Sequence, residues 1–253
     1  MSKPVLSRLQ SLHQQHRKSL AVLFDPDDSA EDMTEVLETA LLHGVELFFV
    51  GGSLLTRGRT EACVELLRNG GAPEVVLFPG NEIQVVKGAD AILFMSLISG
   101  RNPEFLIGKQ VNAAPWVQAA GLEAIPTGYM LVDSGRMTSA AYMSHTLPLP
   151  ADKPDIAAAT ALAGALMGQA VTYLDAGSGA QSPIPAELIQ RVRKTVNTVL
   201  IAGGGIRTAT EAASAWEAGA DIVVVGNGAF AKPDVIREIA VVLQKVNTVP
   251  AVV

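Results

Sequence analysis

The residues in this sequence best suited to chemistry sit where apolar runs stop. The run 199–202 ends at Gly203-Gly204-Gly205, after which Thr208 and Glu211 open a helix as its cap and first-turn acid. Glycines at such a corner leave backbone N–H groups uncovered where the helix dipole favours an anion. The run 221–225 repeats the pattern and ends at Gly226-Asn227-Gly228. One glycine corner alone reads as turn punctuation. Two in succession, at the ends of the last two strands of a βα protein, read as a phosphate cradle.

Acidic and hydroxyl groups gather at other strand ends. Asp25, Asp27 and Asp28 follow the run 21–24, and Ser53 closes the run 46–50 behind Gly51-Gly52. Hard oxygen donors with no Cys or His among them suit Mg²⁺ shared with substrate phosphates, so Asp25 and Ser53 are the expected metal ligands. On its own, Asp25-Pro26-Asp27 would be a helix-entry turn. Ala176, Gly177, Ser178, Gly179 and Ala180 form a third small-residue corner, with Asp175 at its rim and Tyr173 two residues earlier on the same strand face. An acid beside a phosphate site can orient or deprotonate a substrate hydroxyl, although a lone Asp here could simply cap the turn. The histidines make no metal set: His13, His16 and His43 fall on helical stretches and read as surface residues, and His145 lies in an irregular segment. Trp116 and Trp216 sit on helical stretches and read as packing residues.

These side chains need a scaffold that brings strand ends together. Apolar runs at 21–24, 46–50, 75–78, 91–97, 123–126, 171–174, 199–202 and 221–225 alternate with helical stretches. The fifth run continues through Tyr129 to 132, and the expected helices cover 4–18, 29–43, 59–69, 81–87, 103–120, 155–167, 185–194 and 233–245. Eight βα units of this length make an α/β fold, a (β/α)8 TIM-like barrel, with one barrel helix open to being modified or missing. Strands covered by helices outside and by the barrel interior inside should be apolar throughout, as these are. An open doubly wound sheet would place its glycine fingerprint after the first strand, where this chain has Asp-Pro-Asp-Asp. The irregular segment 133–154 is longer than a connector needs and reads as a functional loop. Residues 1–253 are expected to form a single barrel domain.

Composition sets further limits. Of the 253 residues, 49% are apolar and 17% charged, which gives a large core. A net charge of −6 argues against a nucleic-acid partner, which would want clustered Lys and Arg. Cys63 is the only cysteine, so an internal disulfide is impossible and a reducing, cytoplasmic setting is expected. No apolar h-region precedes residue 18, and no run reaches transmembrane length.

The blocks Phe24-Asp25-Pro26-Asp27, Val50-Gly51-Gly52-Ser53, Tyr173-Leu174-Asp175-Ala176-Gly177-Ser178-Gly179-Ala180, Gly203-Gly204-Gly205-Ile206-Arg207 and Gly226-Asn227 resemble those of the geranylgeranylglyceryl phosphate synthase family, which includes bacterial heptaprenylglyceryl phosphate synthases. The likeness runs in order from about Lys18 to about Phe230, and the Tyr-Leu-Asp-Ala-Gly-Ser-Gly block is its most specific part. It implies Mg²⁺-dependent transfer of a polyprenyl group, geranylgeranyl by preference, from its diphosphate to sn-glycerol 1-phosphate, a step in membrane ether-lipid synthesis. By position it assigns Asp25 and Ser53 to the metal, and Tyr173, Leu174, Asp175, Ala176, Gly177, Ser178, Gly179, Gly204, Gly205, Gly226 and Asn227 to glycerol phosphate. The family more often carries Glu where this chain has Asp175, and the length of 148–168 matches its larger group, with many hexameric archaeal and some bacterial members. A homo-oligomer, dimer or hexamer, is therefore expected, with transient contact to a membrane surface.

On this scaffold Asp175 is the expected base, with Tyr173 as the alternative catalytic group. Mg²⁺ with Arg101 or Lys18 would stabilise the departing diphosphate. Leu93, Met95, Leu97, Ile125 and Met130 are available to line an apolar trough for the tail. Two other readings share the cradle. A phosphosugar isomerase or aldolase would need an interior Lys or acid pair, and no strand carries an interior Lys. A non-catalytic phosphate-binding protein would not need Asp25, Ser53 and Asp175 together.

Overall fold

A computed structural model describes residues 4–248. The eight apolar runs become eight parallel strands: β1 Ser19–Phe24, β2 Leu47–Val50, β3 Glu74–Leu77, β4 Ala91–Leu97, β5 Glu123–Leu131, β6 Val171–Asp175, β7 Val199–Gly203 and β8 Ile222–Val225. They close in sequence order, β8 pairing back onto β1 with Ser19 opposite Ile222. The helices are α1 Val5–Gln14, α2 Ala30–Leu42, α3 Thr60–Asn69, α4 Lys109–Ala120, α5 Ser139–Ser144, α6 Pro154–Leu166, α7 Ala186–Arg193, α8 Ala209–Glu217, α9 Asn227–Ala231 and α10 Asp234–Thr248. The single domain expected over 1–253 extends at both ends outside the described residues.

Strand alternation sorts the core into two layers. Ala21, Leu47, Phe49, Val76, Leu93, Ile125, Ile201 and Val224 fill the barrel interior. Val22, Phe48, Val75, Ile92, Leu174, Leu200 and Val223 face the helices. Trp216 of α8 is buried and its indole N–H donates to the Ser19 carbonyl at 3.1 Å, so its packing role holds. Trp116 does not follow suit: it is exposed on α4.

The helix expected over 81–87 is reduced to one 3₁₀ turn, Glu82–Gln84, capped by the Asn81 side chain. Backbone at Val85 is already extended, so the chain has no length for a barrel helix between β3 and β4. This is the modified unit. The helix after β4 also departs from the expectation, opening with a π-turn, Glu104–Gly108, before α4. The irregular segment after β5 contains the short α5, which Thr138 caps through the Ala141 N–H. The small face of α6, with Ala157, Ala158, Ala161 and Gly164 buried, packs on its own barrel.

Helix α1 closes the bottom of the barrel. Val5 and Leu9 insert into the interior layer. Its first N–H groups, Val5 and Leu6, donate to the Glu123 carboxylate that starts β5, at 2.5 and 3.2 Å. Arg8 pairs with Glu74 at the start of β3. His13 is therefore not the surface residue expected: Nδ1 lies 2.9 Å from Asp221 Oδ2 and Nε2 lies 3.1 Å from Asn197 Oδ1. Acceptors at both ring nitrogens favour the protonated imidazole, and the Asp221 hydrogen bond raises its pKa above the usual 6.5 against the opposing effect of burial.

Candidate functional site

One large cleft opens at the C-terminal ends of the strands, where βα barrels place their sites. Its lining has three parts: glycine corners after β6, β7 and β8, acids after β1 and β6, and an apolar flank over β4.

The glycine corners form the first part. Gly177, Ser178 and Gly179 face Gly204, Gly205, Gly226 and Asn227 across the cleft, and the Ser178 hydroxyl donates to Asn227 Oδ1 at 3.3 Å. Among the described residues, no hydrogen bond engages the N–H of Ser178, Gly179, Gly205, Ile206, Asn227 or Gly228. These are donors waiting for an anion. Leu174 and Ala176 do not line the cleft as expected: both side chains pack outward into the helix layer, and the Ala176 N–H is spent on the Gly203 carbonyl at 3.0 Å. Gly204 adopts φ +79°, and a Cβ there would lie 2.6 Å from Gly177 N and 2.7 Å from Asp175 Oδ1. A side chain at 204 would thus clash with the protein's own corner, so substitution there disturbs the loop rather than the anion space. Gly226 is the better probe, since a Cβ there meets nothing closer than Leu23 at 3.6 Å.

The acids form the second part. Asp175 is buried at the end of β6 and level with Gly203 of β7 and Leu131 of β5. Tyr129, two residues before Leu131 on the same face of β5, donates its hydroxyl to Asp175 Oδ2, while the Gly177 N–H donates to Oδ1 at 2.7 Å. Burial raises the Asp175 pKa, and these two bonds pull against it. The result is a carboxylate held rigidly yet readier than usual to take a proton. The sequence shows Tyr129 only as part of the fifth run; its place on β5, on the same face as Leu131, brings its hydroxyl to Asp175. Tyr173 lies below Asp175, its ring stacked on Phe78 at 5.0 Å and edge-on to Tyr129 at 5.5 Å. Burial pushes its hydroxyl pKa well above the ordinary value, which favours a neutral donor over a base.

Asp25 and Asp28 line the opposite wall with Ser53. Burial raises both carboxyl pKa values, and the charge of Asp25 helps bring Asp28 up to about 6. Among the described residues no Lys, Arg or His forms an ion pair with Asp25, Asp28 or Asp175. Two partly buried carboxylates with a serine beside them and no cation of the protein's own form a donor set that fits Mg²⁺. Asp27 is different. It accepts N–H bonds from Thr56, Arg57 and Gly58 together with the Thr56 hydroxyl, which hold its carboxyl far below the usual range and tie down the loop after β2.

The apolar flank exists because the third barrel helix is missing. Ile92 and Phe94 point outward from β4, where a helix would normally cover them, yet both line the cleft. They join Leu93, Met95 and Leu97 from the inner face, with Val85, Phe105 and Ala113 beyond. Gln110 donates to the Met95 and Phe105 carbonyls and so fixes the π-turn against β4. Ile125 and Met130 do not take part, since both are buried in the packed layers.

Two expected phosphate ligands are elsewhere. Lys18 precedes β1 and therefore sits at the barrel bottom, where its Nζ lies 3.7 Å from Asp221 Oδ1 and its backbone pairs with Asn247. Arg101 follows β4 on the correct face, but its guanidinium donates to the Ile98 and Gly100 carbonyls and does not reach the cleft lining. Arg207 lines the cleft beside the cradle and its guanidinium donates to the Ala180 and Gln181 carbonyls, while a Cβ on Gly179 would lie 3.8 Å from the Arg136 guanidinium.

Known proteins resemble this architecture closely. The chain matches the PcrB family over residues 13–243. It is 49% identical over 232 residues to the geranylgeranylglyceryl phosphate synthase of Spirosoma linguale, a match that covers 91% of this chain and 93% of the relative. It is 41% identical to the enzyme of the same name from Methanothermobacter marburgensis, over 83% of this chain and 85% of the relative. The crystal structure of (S)-3-O-geranylgeranylglyceryl phosphate synthase from Thermoplasma acidophilum, in complex with its substrate sn-glycerol-1-phosphate, superimposes with a TM-score of 0.89 at 28% identity, covering 98% of this chain and all of that one.

Proposed function

This chain belongs to the PcrB family, and we propose that it is a prenyltransferase that joins a polyprenyl group, geranylgeranyl by preference, to sn-glycerol 1-phosphate through an ether bond. The observation that carries the reading is that one cleft contains a cradle of free N–H groups, a buried carboxylate beside it, and an apolar flank ending near uncompensated acids.

The cradle formed by Gly177–Gly179, Gly205 and Asn227 binds the glycerol phosphate, which turns the free hydroxyl toward Asp175. Fixing that hydroxyl against the allylic carbon is the entropic part of catalysis. The hydroxyl oxygen bonds to the allylic carbon while the C–O bond to diphosphate breaks and its electron pair leaves with the diphosphate. The hydroxyl proton passes to Asp175. Tyr129 and the Gly177 N–H keep the carboxylate from rotating away, and the neutral Tyr173 ring with Phe78 walls the carbon from water. When bound by Asp25 and Ser53, with Asp28 alongside, Mg²⁺ supplies Lewis-acid stabilisation to the departing diphosphate. The tail lies along the flank over β4. Exposed Ile83, Ile107, Val111 and Trp116 support transient contact with a membrane surface from which a long prenyl diphosphate is drawn. The enzyme works in the cytoplasm as a homo-oligomer, dimer or hexamer, a reading supported by the exposed Leu162 and Leu166 of α6 and Met167 just after it.

Incubation with sn-glycerol 1-phosphate and a ladder of prenyl diphosphates, read by mass spectrometry, tests this directly. An ether product that disappears with EDTA is expected. Metal-independent turnover of phosphosugars in its place would favour an isomerase or aldolase.

A further inference from the structure

Gln84 is fully buried, does not line the cleft, and lies in the turn that stands where the third barrel helix would be. Its side-chain amide forms two hydrogen bonds with one residue: Nε2 donates to the Gly52 carbonyl at 2.7 Å, and Oε1 accepts from the Gly52 N–H at 3.3 Å. The primary amide thus grips both backbone groups of a single glycine, as a neighbouring strand would. Gly52 is in turn pressed against Asp25, since a Cβ on it would lie 2.8 Å from Oδ2 and 2.9 Å from Oδ1 of that carboxylate. The loop before the turn adds a second contact, because a Cβ on Gly80 would come within 2.4 Å of the Gly52 carbonyl oxygen and 2.9 Å of that of Ser53. Gly52 can be neither larger nor elsewhere if Asp25 and Ser53 are to face the same space.

We propose that Gln84 is a positioning residue for the diphosphate half of the site: by clamping Gly52 it fixes the Gly51-Gly52-Ser53 corner against Asp25. The inference rests on the reading of Asp25 and Ser53 as the metal and diphosphate wall. It also gives the lost third helix a second consequence. The same short turn that uncovers the tail flank on β4 supplies, from its last residue, the brace for the cation wall. Gln84 touches neither the cradle nor Asp175, so its effect should be confined to one substrate.

The test is calorimetry on the full chain with two probes, inorganic pyrophosphate with Mg²⁺ and sn-glycerol 1-phosphate, for the wild type, Asp25→Asn and Gln84→Leu. Gln84→Leu keeps the approximate volume and removes both bonds. About tenfold weaker pyrophosphate binding is expected, the scale set by losing one or two buried hydrogen bonds, with glycerol phosphate affinity within about twofold of wild type. Equal losses for both probes would reduce Gln84 to a general structural role and overturn the proposal, as would wild-type pyrophosphate affinity in the folded variant. If Asp25→Asn binds Mg²⁺-pyrophosphate as well as the wild type does, the assignment of that wall fails and the role of Gln84 falls with it. Loss in Asp25→Asn with none in Gln84→Leu overturns the role of Gln84 alone. Should Gln84→Leu not fold, Gln84→Glu takes its place. It retains the acceptor for the Gly52 N–H, sets a carboxylate against the Gly52 carbonyl, and carries the same split expectation.

Discussion

At the bottom of the barrel, Asp221 is surrounded by His13 at 2.9 Å, Arg193 at 3.0 Å, the Leu200 N–H at 2.8 Å and Lys18 at 3.7 Å. At the mouth, Asp25, Asp28 and Asp175 are also withdrawn from water, with no such cations around them. The chemistry of the two groups diverges accordingly. Burial alone would raise the Asp221 carboxyl, but the His13 bond, the Leu200 N–H and the charges of His13 and Arg193 bring it below the usual range. The three acids at the mouth are raised. The charges at the bottom hold α1, β7 and β8 together, whereas among the described residues the acids at the mouth have no cationic partner. Proteins tolerate that second arrangement where function requires it.

Substitutions at the two ends should therefore separate. The largest effect is expected at Asp175: Asp175→Asn keeps the shape and the acceptor for the Gly177 N–H, with the Tyr129 hydroxyl turning from donor to acceptor, but removes the base, and turnover should fall about 10²–10⁴-fold with little change in glycerol phosphate affinity. A loss under tenfold would mean the carboxylate only orients the substrate, and a folded variant with full turnover would move the base elsewhere. Next comes Asp221→Ala, which removes the acceptor shared by His13, Arg193 and the Leu200 N–H. It should cost about 3–5 kcal/mol in denaturant unfolding while turnover per folded molecule stays near wild type. The contribution of Asp221 exists above the ordinary carboxylate range and is lost as pH falls through its depressed pKa. That of His13 is full below 6.5 and is lost as pH rises through its raised value. The smallest effect is expected at Asp28, and its sign is reversed. Asp28→Asn at pH 8 removes a carboxylate that the fold disfavours, so stability should rise by about 0.5 kcal/mol, discounted for partial exposure, or about 1–2 °C in Tm. A drop would show that Asp28 is paired after all.

How far these ends were legible in the sequence follows the same division. The barrel could be read because most strands carry a short apolar run and most of these runs end at Gly or Asp. The cradle could be read because backbone donors need only glycines, and glycines are visible as letters. Lys18 was misplaced on the diphosphate although its position was already diagnostic: a residue before a strand lies at the opposite end from one that follows it. Arg101 lies on the correct face, but its guanidinium folds back onto its own loop, a contact that no residue pattern signals. Leu174 and Ala176 fell inside a motif whose alternation turns them to the helix layer. Gln84 carries no sequence signal, because a lone glutamine in a short turn looks like any polar residue. Its role arises only from meeting Gly52, 32 residues away.

The claim that the mouth keeps its acids for a cation is most directly tested by thermal unfolding with Mg²⁺ plus inorganic pyrophosphate, and separately with sn-glycerol 1-phosphate. Wild type should gain Tm with either addition, and Asp25→Asn should keep the glycerol phosphate gain while losing the Mg²⁺-pyrophosphate gain. An Mg²⁺-pyrophosphate gain that survives in Asp25→Asn, or a glycerol phosphate gain that vanishes with it, would contradict the account.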